Sequence, residues 1–247
     1  MSQIESVRLS KRLAEQQNCS RREAELYIEA GHVQVDGKVV LVPGTHVGPG
    51  QQIRLAPGAK AEAIPPVTLL LHKPAGYTQG QAYGRVPSAH SLLTEKNLAD
   101  YDAPAPVRVL ERHFADQLAF LPIPVPASGL VIYTQDPRIA RKLEEDAYAL
   151  EQEIVVGVKG QIVEGGLQRL CHGLIADRQP LPPAKVSWQN ENHLRFAIKG
   201  FWPDKIDAMC EQVGLQVVSM RRLRIGRVSM AKLPEGQWRY LLPWEKF

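Results

Sequence analysis

Residues 56–66 read Ala-Pro-Gly-Ala-Lys-Ala-Glu-Ala-Ile-Pro-Pro, and this stretch constrains the fold more than any other. Ile64 is its one bulky apolar residue, and its prolines remove backbone donors. It can neither bury a face nor sustain a hydrogen-bonded ladder, so it reads as a linker. The 247 residues then divide into a short module at 1–57, a linker at 58–66 and a larger domain at 67–247. Composition, at 44% hydrophobic and 23% charged, is that of a globular protein. No apolar run is long enough to span a membrane, and the first ten residues lack a signal-peptide core. Cys19, Cys171 and Cys210 are odd in number and far apart, which gives neither a disulfide framework nor a metal-ligand spacing. The expectation is a cytoplasmic monomer without metal or cofactor. A net charge of +4 permits a nucleic-acid partner, and the placement of the charges says more than their sum.

Within the short module, Val7, Leu9, Leu13 and Ala14 recur at near-helical spacing. Ser20-Arg21-Arg22-Glu23 is a capping box, in which serine and glutamate each satisfy the other's backbone N–H. The helix it starts carries Ala24, Leu26, Tyr27 and Ile28 and stops at Gly31. Val33 and Val35 alternate as a strand, Asp36-Gly37 is a tight-turn signal, and residues 38–41 return. A last strand falls at 52–55. Arg8, Lys11 and Arg12 lie at i, i+3 and i+4 and are placed on one helix face. Arg21 and Arg22 open the next helix, whose N–H groups also favour phosphate. Glu5, Glu15 and Glu25 dilute the charge, at spacings that put them elsewhere.

The segments Val7-Arg8-Leu9-Ser10-Lys11-Arg12-Leu13, Cys19-Ser20-Arg21-Arg22-Glu23-Ala24, Ile28-Glu29-Ala30-Gly31 and Val33-Gln34-Val35-Asp36-Gly37-Lys38 together resemble an S4 domain. That resemblance implies binding of structured RNA, with Arg8, Lys11, Arg12, Ser20, Arg21 and Arg22 as contacts to phosphates and RNA shape.

The larger domain reads as α+β with a largely antiparallel sheet. Strands are expected at 67–71, 130–133, 154–158, 194–198 and 217–220, and helices at 137–147 and 205–213. Leu71-His72-Lys73-Pro74-Ala75-Gly76, the stretch from Leu170 to Val186, and the run Arg221-Arg222-Leu223-Arg224-Ile225-Gly226 through Arg239 resemble the RsuA-like family of bacterial rRNA pseudouridine synthases. The resemblance implies a base-flipping uridine isomerase that depends on one aspartate in a GRLDxxTSGL motif. Ser128-Gly129-Leu130 through Asp136 matches the second half of that motif without gaps. Counting back puts the motif arginine at Pro122 and the aspartate at Pro124. The family's KxY segment corresponds to Gln152-Glu153-Ile154. Its arginine-rich NRQIRRM segment falls on residues 203–209, which include Asp204 and Asp207.

Framework motifs persist while polar pocket motifs are replaced. The resulting expectation is an RNA-binding protein of this family, with structured rRNA as partner and little or no isomerase activity. Arg221, Arg222 and Arg224 are expected to extend the basic RNA surface. Two alternatives stay open: an active synthase with a relocated carboxylate, for which Asp116 is the candidate, and a protein-interaction module on a retired enzyme fold. Trp238 is expected in the core, Trp202 at the surface, and Asp136 in a structural role.

Overall fold

The computed structural model describes residues 6–101, 107–172, 174–176, 178–200 and 202–247. The chain forms two compact units. The first comprises Met1–Pro66 with Ala105–Asp116, the second Val67–Pro104 with Gln117–Phe247. Arg108 joins its segment to the first unit by donating from Nη1 to the Gly31 carbonyl at 2.8 Å.

In the first unit, β1 (Val7–Arg8) leads directly into α1 (Leu9–Gln17), and α2 (Arg21–Glu29) follows. Arg8 therefore stands ahead of the first helix rather than on it, paired with His46 in β4 (His46–Val47). The capping box forms as the sequence requires. Glu23 N–H donates to Ser20 Oγ at 3.2 Å, and Ser20 N–H donates to Glu23 Oε2 at 2.8 Å. β2 (Val33–Val35) pairs with β3 (Lys38–Val39) and β5 (Ile53–Leu55). Asp36 and Gly37 both take positive φ, as a tight hairpin turn demands. The Asp36 carboxylate accepts from Gln51 Nε2 and Gln52 N–H, which lowers its pKa and ties the turn to the strand opposite. Leu9, Leu13, Ala24, Ile28, Val33, Val47 and Ile53 close a small core of their own.

The second unit is built on one twisted sheet. Its strands are β6 (Thr68–Lys73), β7 (Leu118–Phe120), β8 (Ser128–Thr134), β9 (Glu151–Gly160), β12 (Lys185–Asn190), β13 (His193–Lys199), β14 (Leu215–Ile225), β15 (Val228–Ser229) and β16 (Trp238–Tyr240). A separate ribbon pairs β10 (Ile175–Ala176) with β11 (Gln179–Pro180). The main path runs β12-β13-β9-β14-β8-β6-β16, with β7 on β8 and β15 on β14. Three helices accompany it: α3 (Pro137–Glu145), α4 (Gly166–Cys171) and α5 (Ile206–Glu211). The helix expected at 205–213 is a 3₁₀ turn at Pro203–Lys205 that runs into the short α5, and β14 is far longer than the strand expected at 217–220. Asp136 caps α3 by accepting from Arg138 N–H at 2.9 Å. Trp238 is fully buried. Trp202, expected at the surface, is also buried, and its indole N–H is satisfied by the Lys199 carbonyl.

Pairs in this sheet are antiparallel except one: β14 meets β8 in parallel, with Arg221 opposite Ser128 and Arg222 opposite Gly129. The two backbones approach so closely that a Cβ at Gly129 would lie 2.3 Å from the Arg222 carbonyl oxygen. Gly129 also holds φ at +115°, where an L side chain is strained. Gly129→Ala is expected to cost about 3 kcal/mol or more from strain and clash together. That corresponds to a melting temperature lower by roughly 6–12 °C in a chain of this size, as a thermal melt would read.

Candidate functional site

Two groups of basic residues bear on function. The first lies on the first unit. Lys11, Arg21 and Arg22 are exposed, as is Arg8. Arg12 is turned to another task. Its guanidinium donates to the carbonyls of Gly48, Pro49 and Gln51, so it fastens the 48–51 turn to α1. Ser20 remains exposed, with its hydroxyl committed to the cap. Glu25 does not lie elsewhere. It approaches Arg21 at 3.4 Å and Arg22 at 3.6 Å, long and exposed pairs that contribute little and yield readily to a phosphate. Glu5 lies outside the described residues. The face thus presents Arg8, Lys11, Arg21 and Arg22.

The second group is inside the second unit. Lys73, at the end of β6, and Arg222, in β14, are both 0% exposed. Lys73 Nζ is surrounded by backbone carbonyls: Ala127 at 2.5 Å, Tyr77 at 2.8 Å, Pro74 at 3.0 Å and Val125 at 3.3 Å. Burial, then the nearby Arg222 charge, lowers the Lys73 pKa to about 8, against a weaker pull from Glu235. Arg222 donates from Nε to the Leu130 carbonyl at 2.8 Å. Its Nη1 reaches the Leu121 carbonyl at 2.7 Å and Gln152 Oε1 at 2.8 Å. Its Nη2 has no partner among the described residues. Burial lowers the Arg222 pKa to about 9. Leu121 takes φ +51°, a strained conformation for a leucine, and its carbonyl is one that Arg222 captures.

Pro124 lies in the loop that these two cations fasten. It ends at the Ala127 N–H to Pro124 carbonyl turn, 3.0 Å long. Beside it is a hollow of about 260 Å³ walled by Pro124, Pro126, Pro203 and Val218, with Asp204 and Asp207 in its lining. Gln152 bridges Arg222 and the Gly200 carbonyl, and Ile154 is buried. A neutral amide at 152 avoids a third buried cation beside Lys73 and Arg222.

The expectation of a continuous basic strand at 221–224 is corrected here. β14 is interior to the sheet, so alternate side chains point into the protein. Arg222 is buried. Arg224 pairs with Glu151 at 2.8 Å and Glu153 at 3.0 Å, and Arg221 alone of the three is exposed. Asp116, the candidate substitute acid, is exposed, bonded to Arg112 at 2.7 Å, and grouped with the first unit. Lys73 was visible in the sequence only as part of a quoted motif. Nothing in the spacing says that its ammonium ends among four carbonyls. Among the described residues, no cluster of His, Cys, Asp and Glu could hold a metal ion, and no helix is long and apolar enough to cross a membrane.

The S4-domain family profile matches residues 7–53. The chain is 28% identical to ribosomal large subunit pseudouridine synthase B of Bacillus subtilis over 244 residues, covering 96% of this chain and 93% of that one. Along nearly its whole length the chain is similar to bacterial RNA pseudouridine synthases that, like it, match the RsuA-like pattern. It is 27% identical to the dual-specificity RNA pseudouridine synthase RluF of Escherichia coli K12, covering 96% and 76% of the two chains. A candidate chloroplast ribosomal large subunit pseudouridine synthase, SVR1 of Arabidopsis thaliana, is 30% identical, and the chain spans 54% of its length. A crystal structure of a pseudouridylate synthase shares the fold, with a TM-score of 0.58 at 20% identity and 96% coverage of both chains.

Arg222 is expected to act as a structural residue. Arg222→Met leaves two carbonyls and the Gln152 amide without their donor, at about 1–3 kcal/mol each. Its melting temperature is expected to fall by roughly 6 °C or more at ~2–4 °C per kcal/mol. Arg221→Met, on the exposed face, is expected to stay within about 0.5 kcal/mol of wild type. Equal melts for the two variants would remove the structural assignment.

Proposed function

We propose that this protein binds structured rRNA through Arg8, Lys11, Arg21 and Arg22 of its S4 domain and does not isomerise uridine. It acts in this reading as a cytoplasmic monomer. One observation carries the loss of chemistry: Lys73 and Arg222, the cations that flank the loop of Pro124, are committed to backbone carbonyls rather than to a carboxylate. The isomerisation needs an acid that can attack the sugar or take its proton. Proline supplies neither, and its neighbours Val125 and Ala127 use their carbonyls to hold Lys73. The RNA reading is supported by the S4 match and by the names of the relatives, all of which act on RNA.

A second reading has one observation in its favour. Asp204 and Asp207 line the same hollow as Pro124, whereas Asp116 is exposed and bound to Arg112. If an acid has been relocated, Asp207 is a better placed candidate than Asp116.

Tritium release from C5-labelled rRNA transcripts, run beside an RNA-binding titration, separates the two. Binding without release is the expected outcome. Release above background that disappears in Asp207→Asn would establish the second reading instead. In the same titration, Arg21→Glu with Arg22→Glu is expected to weaken binding at least tenfold and to reduce the salt slope by about 2. Unchanged affinity at low salt would show that the S4 face is not the contact surface.

A further inference from the structure

We infer that the second unit carries an additional RNA contact: a groove beside the C-terminal segment that stacks a base of a single-stranded RNA segment on Trp244 and holds its phosphates with Arg227, Lys232 and Lys246. This inference rests on the RNA-binding reading above and adds a site to it.

Two hollows meet there. One, of about 680 Å³, is lined by Tyr101, Arg227, Lys232 and Trp244 over a floor that includes Met230 and Leu233. The other, of about 630 Å³, is lined by Arg138, Arg227 and Lys246. Arg227 and Glu245 line both, so the two hollows adjoin across these side chains. Trp244 is 62% exposed, in contrast to the buried Trp202 and Trp238. It is also held in place. Glu245 N–H donates to the Leu242 carbonyl, and the Glu245 carboxylate accepts from Leu242 N–H. That carboxylate also takes a bidentate bond from the buried Arg239, at 2.6 and 2.7 Å. An aromatic ring on a fixed turn is a stacking platform with little ordering cost.

The charges fit the same ligand. Glu245 is neutralised by Arg239 and Asp136 by Arg138. Arg227, Lys232 and Lys246 are engaged by no ion pair or hydrogen bond among the described residues. Among the described residues, Asp100 is the lining side-chain carboxylate left to oppose them. A purely apolar or acidic-rimmed groove would suit a peptide. An exposed indole flanked by free cations suits a base and its phosphates.

The groove is distinct from the loop of Pro124. Lys73 and Gly129 pair at one end of β6 and β8, and Thr68 and Thr134 at the other. Leu241 N–H bonds to the Thr68 carbonyl, so the segment carrying Trp244 follows from the end remote from Lys73, while the Leu233 floor reaches His72. Neither hollow shares a lining residue with the one at Pro124.

The test uses the full-length protein and fluorescein-labelled octamers of adenylate and uridylate in an anisotropy titration. Trp244→Leu is expected to weaken octamer binding about tenfold, and Arg227→Glu with Lys232→Glu by at least as much. Trp244→Phe should retain most of the affinity, and Trp188→Leu, at another exposed indole, should retain all of it. Thermal melts check that each variant is folded. Ultraviolet crosslinking of the octamer should map to Trp244. If folded Trp244→Leu binds like wild type while the Arg21 and Arg22 reversals weaken binding, the groove is overturned and the S4 reading stands. If wild type binds neither octamers nor structured rRNA, both fall together.

Discussion

The close contact of β8 with β14 governs the second unit. Gly129 lets the two backbones approach, and that approach buries Arg222 between the strands. A guanidinium without a carboxylate is costly in such a place unless its donors find oxygen. Leu130, Leu121 and Gln152 supply that oxygen, and Leu121 does so from a strained backbone conformation. The loop carrying Pro124 is therefore shaped by the needs of a buried cation. Lys73 strengthens the constraint, because its ammonium gathers the Val125 and Ala127 carbonyls of that loop and those of Pro74 and Tyr77 beyond its own strand.

This arrangement explains how the fold holds two buried cations without a carboxylate between them. Two neighbouring buried cations repel each other, and the repulsion contributes to the lowered Lys73 pKa. A carboxylate is the usual remedy. Here neutral dipoles stand in for it, and the neutral Gln152 adds a third acceptor where a lysine would have added charge. Carbonyl dipoles do not titrate and cannot transfer a proton or attack a sugar, so they maintain structure without sustaining chemistry.

Much of the first unit was legible in the sequence, because its signals are local. The capping box, the Asp36-Gly37 turn and the alternation of Val33 and Val35 each act within a few residues. The large sheet was legible as a class but not in its order, since β6, β8, β9 and β14 pair across 55 to 93 residues of chain. The basic run at 221–224 illustrates the limit. Sequence shows the arginines but not that β14 lies between β9 and β8, with one of them buried and another paired to Glu151 and Glu153. Arg12 misled for a similar reason: its helical spacing is sound, but its head group serves the turn at Gly48.

The capping box has a consequence for how RNA can be held. A free helix start offers a rigid, shape-selective cradle for one phosphate. At α2 part of that cradle is already taken, because the Glu23 carboxylate accepts from Ser20 N–H and the Ser20 hydroxyl from Glu23 N–H. Negative charge at this point turns a phosphate away from the backbone and toward the flexible arms of Arg21 and Arg22. Grip through long, mobile side chains tolerates small shifts of the RNA. In the proposed RNA-binding reading, the S4 face is a compliant fastener rather than a template, and discrimination between RNAs falls to the shape of the ligand.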